Sequence, residues 1–168
     1  MTRLTLLALI VGAVHVAAQA QPALPTRDVD VTYLAAQGVT QRWRFRVAGQ
    51  TLRLDPPTAG LHMIIDYPAH SMAVVNDTDR TVIMAAAPPT APGQGTARGA
   101  DTVLGQPCTV WEQTDTQQQL TQTCYSADGV LLRARRGTQT LVEATAIAYG
   151  PADPSVYAIP AGYSRLAK

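Results

Sequence analysis

The stretch LHMIIDYPAHSMAVVNDTDRTVIMAA, residues 61–86, decides the fold of this chain. Apolar runs rich in β-branched residues alternate here with two segments, Tyr67-Pro68-Ala69 and Asn76–Asp79, whose composition is typical of tight turns. The runs are Leu61–Ile65, Met72–Val75 and Thr81–Met84. Because runs of this length suit strands and are too short for ordinary helices, they predict a three-stranded antiparallel meander.

Further strand candidates lie on both sides of the meander, at regular spacing. The clearest alternation runs from Arg42 to Val47, where apolar residues alternate with arginines, as expected of a half-buried strand. Helical periodicity does not extend beyond a turn or two, and Asp153-Pro154 predicts one such turn. The sequence therefore predicts an all-β or mainly β fold with little helix: a single, strongly curved antiparallel sheet, or half-barrel, of about 8–11 strands. Whether this sheet closes is left open.

Residues 1–20 have the features of a signal peptide. Arg3 precedes an apolar segment, and Ala18-Gln19-Ala20 fits the small-x-small rule for cleavage. We therefore expect residues 21–168 to form a single β-rich domain in the periplasm or in the secreted fraction, not spanning the membrane after cleavage. Prolines and glycines in residues 85–99 predict a flexible loop there.

Charge and cysteine content narrow the function classes. The chain has 13 Lys+Arg and 12 Asp+Glu, and removal of the signal peptide takes away Arg3 alone, so the net charge is near zero. A nucleic-acid partner is therefore not expected. Cys108 and Cys124 are an even pair in an exported protein, which predicts one disulfide across a hairpin, with the two residues directly opposite each other.

Two groups of polar residues invite a hypothesis of catalysis or metal binding. His62, Asp66 and His70 could suggest a metal site, but His62 would lie about 13 Å along the strand from Asp66, so one ion could not reach all three. We expect a hydrogen bond between Asp66 and His70 across the turn instead. Ser71 follows His70, which could suggest a catalytic nucleophile beside its general base. Adjacent strand residues point to opposite faces, however, so the imidazole would lie away from the hydroxyl. We therefore expect no metal site, no cofactor and no enzymatic activity.

The two faces of the second predicted strand suggest different roles. Its arginines and Arg53 predict a basic ridge on one face, which is either an ordinary solvated surface or a site for anionic headgroups or an acidic partner. The ridge consists of Arg42, Arg44, Arg46 and Arg53. On the other face, the apolar residues form ordinary core, part of which could line a cavity. These are Trp43, Phe45, Val47, Leu52 and Leu54.

Three segments carry a resemblance to a known family. The run Met63–Val75 followed by Asp79-Arg80-Thr81, the segment Val103–Trp111 and the ending Asp153–Tyr163 resemble uncharacterised exported bacterial proteins that are similar to the periplasmic lipoprotein carriers LolA and LolB. The resemblance implies a half-barrel whose apolar concave face holds acyl chains or other hydrophobic ligands. Those carriers close this face with helices, whereas here its own side chains or the 85–99 loop would cover it.

The expected function follows from that concave face. We expect a non-enzymatic periplasmic protein that binds a lipid or the acyl chain of a lipoprotein through Trp43, Phe45, Met63 and Ile65. The alternative is an envelope protein-interaction or stress-sensing module without a small-molecule ligand. An open apolar pocket of about 300–1,000 Å³ favours the first, and a filled core with an apolar surface patch favours the second.

Overall fold

Twelve strands of one sheet contain most of the residues that the computed structural model describes, which are residues 21–88, 95–114 and 118–166. The strands are β1 Val29–Ala35, β2 Thr40–Arg46, β3 Thr51–Asp55, β4 Leu61–Asp66, β5 Ser71–Asn76, β6 Thr81–Ala86, β7 Thr96–Val103, β8 Gln106–Thr114, β9 Leu120–Tyr125, β10 Leu131–Arg136, β11 Gln139–Tyr149 and β12 Ser164–Leu166. Three short 3-10 helical segments, Ala36–Gly38, Val47–Gly49 and Pro154–Tyr157, interrupt them. The mainly β fold is therefore confirmed.

The strand order is β12-β6-β5-β4-β3-β2-β1-β11-β10-β9-β8-β7. Every pairing is antiparallel except that of β12 with β6. The sheet does not close, because β7 and β12 are its edges. The strand count exceeds the predicted range of 8–11 by one, and β12 is the added strand: its three exposed residues carry no apolar alternation that could have indicated it.

The central meander is confirmed as β4–β5–β6. Asp66 pairs with Ser71 across the first turn, and Asn76 pairs with Thr81 across the second. In the second turn, the side-chain oxygen of Asn76 accepts hydrogen bonds from the backbone N–H groups of Thr78 and Asp79. This local bonding is the reason that asparagine initiates turns.

The predicted 85–99 loop is strand at both of its ends. Ala85 and Ala86 belong to β6, and β7 begins at Thr96; residues 89–94 lie outside the described residues. The sequence of β7 is poor in β-branched residues and contains Gly99, where the register with β8 shifts. It is a strand because it pairs with β8 and because Arg98 donates to Glu112 of that strand at 2.6 Å.

The sheet is strongly curved. β3 and β9 are five positions apart in the strand order, which corresponds to about 24 Å in a flat sheet. Nevertheless Leu52 of β3, Tyr67 after β4 and Tyr125 of β9 line one cavity. The side of the sheet that carries these residues is therefore concave.

The buried residues form two clusters on opposite sides of the sheet. The larger one lies on the concave side and includes Tyr33, Phe45 and Leu132, while the smaller one packs against Tyr163 on the other side of the meander. The smaller cluster consists of Ile64, Ala73, Val75 and Val82. The chain ending thus supplies cover for the convex side of β4–β6.

The disulfide between Cys108 and Cys124 is present, with the two Cα atoms 5.4 Å apart. The predicted register is wrong by two residues, because Cys124 pairs with Val110 rather than with Cys108. The predicted helical turn is confirmed: the Asp153 carboxylate accepts a hydrogen bond from the Ser155 N–H at 2.9 Å, and Pro154 begins the turn.

The predicted signal peptide, residues 1–20, lies outside the described residues. Within the part of the chain that the structure describes, no helix has the length and apolar character needed to cross a membrane.

Candidate functional site

Two rows of apolar side chains run across β2 to β6 on the concave side. Residues that pair directly across neighbouring strands share a face, so the register defines both rows. The first row is Trp43, Leu54, Met63, Val74 and Ile83, and the second is Phe45, Leu52, Ile65, Met72 and Ala85. We call these ten residues the apolar face. Trp43, Phe45, Met63 and Ile65, which the sequence singled out, all belong to it.

The apolar face is buried at its β2 end and more open at its β6 end. Phe45 and Ile65 are buried, Trp43 and Met63 are half-buried, and Ile83 is 37% exposed. Among the described residues, the meander end of the apolar face is partly accessible to solvent, and Ile83 is its most exposed member. Val47, which the sequence placed with these residues, instead lies exposed in a 3-10 segment.

A cavity of about 190 Å³ lies at the buried end of the apolar face. Trp43, Phe45 and Leu52 form one wall, and Tyr67 and Tyr125 contribute the opposite side. The cavity is small because aromatic side chains fill the space between the strands, in particular Tyr33, whose ring centroid lies 4.8 Å from that of Trp43. Its volume is below the roughly 300–1,000 Å³ typical of small-molecule sites.

The segment Gln21–Arg27, which we call the leader, completes this cavity. Ala23, Leu24 and Pro25 line it, and Leu24 packs against the larger core cluster. The sequence alone indicated no role for this segment. The apolar side chain of Leu24 could have indicated that the leader is partly buried. The sequence does not show on which surface of the protein Leu24 packs.

Three of the four arginines of the predicted basic ridge pair with carboxylates. Arg42 donates to Asp30 through Nε and Nη2, and Arg44 and Arg53 both donate to Asp55. Burial raises the pKa of Asp55, but the hydrogen bonds from these two guanidinium groups outweigh it and hold that pKa below its ordinary value. Arg42, Arg44 and Arg53 of the ridge therefore form a network of ion pairs rather than a row of free cations.

The segment after β11 covers part of the side of the sheet that carries the basic ridge. Arg53 donates to the Val156 carbonyl at 3.1 Å, and Tyr157 is buried. Asp28 ties the segment to the sheet, because its carboxylate accepts hydrogen bonds from the N–H groups of Val47 and Ala152. These two bonds hold the pKa of Asp28 below its ordinary value, and Arg46 acts in the same direction.

His62 and Asp66 take partners that the sequence did not indicate. Asp66 accepts a hydrogen bond from the Ala69 N–H at 2.9 Å, so the predicted bond to His70 is wrong. His62 is 3% exposed, and its Nδ1 lies 3.2 Å from a carboxylate oxygen of Asp77. Within the described residues, no group of three or more His, Cys, Asp or Glu side chains is arranged to hold a metal ion.

His62 should make the protein sensitive to mild acid. Burial lowers the pKa of His62, and Arg53 adds to this, although Asp77 and Asp55 act in the opposite direction. Because the folded state resists protonation, the unfolded state, with an ordinary pKa near 6.5, takes up more protons as the pH falls below about 7. We expect the free energy of unfolding to decrease between about pH 7 and pH 5.

Urea titrations at several pH values measure this effect. His62→Gln should flatten the slope between pH 7 and pH 5, and His70→Gln, at an exposed turn position, should keep the slope of the unmodified chain. Equal slopes in all three proteins would show that His62 does not cause the acid sensitivity.

No protein-family model and no curated protein matches this sequence. Among solved structures, an uncharacterised conserved protein from Thermus thermophilus is 8% identical with a TM-score of 0.64, covering 84% of this chain and 90% of the other. PNGF-II is 12% identical with a TM-score of 0.58 over 83% of this chain, and MucB in complex with MucA(peri) is 14% identical with a TM-score of 0.55 over 87%. This chain spans 30% of PNGF-II and 59% of MucB.

At these identities the likenesses show the fold alone. The likeness to MucB supports the LolA-like fold that the resemblance implies. The Cys108–Cys124 disulfide is typical of proteins that fold in an oxidising compartment.

Proposed function

We propose that this protein is a non-enzymatic periplasmic binding protein that holds a hydrophobic ligand, a lipid or an acyl chain of a lipoprotein, on its apolar face. The observation that carries the proposal is the partial exposure, among the described residues, of the β6 end of the two apolar rows. Met63, Met72 and Val74 are half-buried and Ile83 is exposed, on the concave side of a curved sheet. Partly accessible apolar side chains on a concave face are typical of a ligand-binding site.

The composition of the apolar face supports binding without chemistry. Its ten residues include no titratable or nucleophilic side chain. The nearby hydroxyl groups on Tyr33 and Tyr125 are held in the protonated state, because burial raises the pKa of both. Two methionines near the open end provide flexible, polarisable contacts that can adapt to ligands of different shape.

Ile83→Asp tests the proposal with a closely matched control. A carboxylate at this position would have to be desolvated against the ligand, which is costly, so we expect the affinity for an acyl probe to fall by about tenfold or more. Ile159→Asp changes the same residue type at the same exposed fraction, 37%, away from the apolar face. The probe is a dansyl-labelled undecanoic acid, and its fluorescence is titrated against each protein.

The two variants should differ in their affinity for the acyl probe. Weaker binding by Ile83→Asp, with Ile159→Asp equal to the unmodified protein, supports the proposal. Equal affinity in all three proteins, or no binding by the unmodified protein, contradicts it.

A protein partner is the second candidate function, and two observations favour it. The cavity at the buried end measures about 190 Å³, which is small for a lipid, and MucB, a neighbour of the same fold, is solved in complex with MucA(peri). In that case the partly exposed β6 end of the apolar face would contact a protein segment. Ile83→Asp would then abolish capture of that partner while acyl probes show no binding to the unmodified protein.

A further inference from the structure

The leader lies between two cavities that share a wall. Ala23, Leu24 and Pro25 line the cavity of about 190 Å³ beside Trp43, and Pro22 lines a second cavity of about 510 Å³ beside Trp111. Tyr125 lines both cavities. The leader therefore divides the concave side into two compartments.

The leader is anchored mainly at its two ends. Gln21 donates to Thr123 at one end, and at the other the Thr26 N–H donates to the Asp128 carbonyl at 2.9 Å. Between these anchors lies Pro22-Ala23-Leu24-Pro25, whose prolines have no N–H to donate and whose Leu24 side chain packs on the core. Apolar contact rather than hydrogen bonding holds the middle of the leader, and a hydrophobic chain could replace such contact.

The surrounding chain leaves room for the leader at two glycines. A Cβ at Gly129 would lie 2.7 Å from the Leu24 carbonyl oxygen, and one at Gly95 would lie 2.6 Å from the Gln21 side-chain oxygen. Both distances are shorter than non-bonded contacts allow. The leader is thus fitted closely against β9 and its neighbours rather than lying loosely over them.

A buried polar group of a residue that lines the second cavity has no hydrogen-bond partner among the described residues. Trp111 is 3% exposed, and its indole N–H is buried and has no hydrogen-bond acceptor among the described residues. A buried donor left unpaired destabilises the folded state. Once displacement of the leader opens the space beside Trp111, an oxygen atom of a ligand head group could accept that hydrogen bond.

We propose that the two cavities are halves of one binding groove for an acyl chain that bears a carboxylate or ester oxygen, and that the leader is its displaceable occupant. With the leader displaced, the groove extends from Trp43 past Tyr125 to Trp111. The combined space then falls within the range typical of ligand sites, which the first cavity alone does not reach. This inference rests on the proposed function and adds the leader as its internal competitor.

Displacement of the leader should control the affinity for the ligand. If the groove is free in a fraction of molecules, the apparent dissociation constant equals the intrinsic one divided by that fraction. A leader that is docked about 90% of the time would therefore weaken the apparent affinity by about tenfold. Releasing the leader should therefore strengthen the apparent affinity by about tenfold.

Leu24→Asp is the variant that releases the leader, because a carboxylate cannot be buried in the core contact that Leu24 makes. We expect it to bind dansyl-labelled undecanoic acid about tenfold more tightly than the unmodified protein, with one probe per protein by native mass spectrometry. Leu24→Met keeps an apolar side chain and should bind like the unmodified protein. Leu34→Asp on β1 makes the same chemical change at an exposed site, on the face opposite the one to which Tyr33 of the cavity belongs, and should also leave the affinity unchanged.

The outcomes distinguish this inference from the proposed function. Tighter binding by Leu24→Asp with a native near-ultraviolet circular dichroism spectrum supports the leader as competitor. Equal or weaker binding by this variant overturns the inference, even if Ile83→Asp confirms that the apolar face binds the probe. If Leu24→Asp binds more tightly and Ile83→Asp has no effect, the groove under the leader is supported and the proposed role of the meander end is overturned.

Trp111→Phe tests the polar end of the groove separately. It keeps an aromatic ring and removes the N–H donor. In the Leu24→Asp background, it should weaken binding of the fatty-acid probe severalfold and leave binding of N-phenyl-1-naphthylamine, an apolar probe without a carboxylate, unchanged. An equal loss for both probes would assign Trp111 a packing role and overturn the head-group contact.

Discussion

A Tyr33→Ala variant should lose about 3–5 kcal/mol of its free energy of unfolding, the range found for large buried side chains. Tyr33 is 2% exposed in the middle of β1, and its ring packs against that of Trp43. Its hydroxyl donates a hydrogen bond of 2.6 Å to the Leu131 carbonyl at the start of β10. Truncation would leave a large cavity where β1, β2 and β10 meet.

Tyr33→Phe separates the hydrogen bond from the ring packing. It keeps the ring and leaves the Leu131 carbonyl without its donor, which should cost about 1–3 kcal/mol. Urea unfolding at neutral pH measures both variants. A loss below about 1 kcal/mol for Tyr33→Ala would contradict the position of this ring at the centre of the concave core.

Replacing both cysteines by serine is expected to have an effect of similar size. The Cys108–Cys124 disulfide closes a loop of 15 residues, and a loop of that length corresponds to about 3 kcal/mol on the chain-entropy model. The two sulfur atoms are also part of the larger core cluster, so the serine hydroxyls would be buried in apolar surroundings. We expect a loss of about 3 kcal/mol in the free energy of unfolding.

The measurement compares the double variant with the oxidised chain in urea. A reductant should lower the stability of the unmodified chain towards that of the double variant and leave the double variant unchanged. A double variant as stable as the oxidised chain would show that the hairpin of β8 and β9 does not depend on the disulfide.

Sequence reasoning succeeds here where alternation is strict and turns are short. The strands of the meander and the two faces of β2 both follow from local patterns of period two. The register between neighbouring strands then determines which of their residues lie on the same face. For this reason Trp43, Phe45, Met63 and Ile65 could be placed together without a structure. The apolar face as a candidate site was thus accessible from the sequence.

Features that depend on long-range contacts could not be predicted from the sequence. β7 and β12 are strands because a neighbouring strand offers hydrogen bonds, while their own residues lack β-strand character. The leader docks on residues about 100 positions further along the chain. No local pattern encodes such a contact.

The predicted ridge of arginines shows the same limit for electrostatics. Arg42, Arg44 and Arg53 lie on one face as their spacing predicts. The carboxylate partners of Arg42 and Arg44 come from the strands on either side of β2, Asp30 from β1 and Asp55 from β3, and Asp55 also pairs with Arg53 of its own strand. A count of charges along one strand therefore overstates the positive potential of the folded surface.

Native mass spectrometry of residues 21–168, purified from a bacterial periplasm with the disulfide intact, tests the central claim most directly. We predict a reproducible mass shift that organic extraction resolves into a lipid or fatty acid, and loss of that shift in Ile83→Asp but not in Ile159→Asp. A clean unliganded mass for the unmodified protein, unchanged after addition of fatty acids and phospholipids, would contradict the claim that the apolar face binds a hydrophobic ligand.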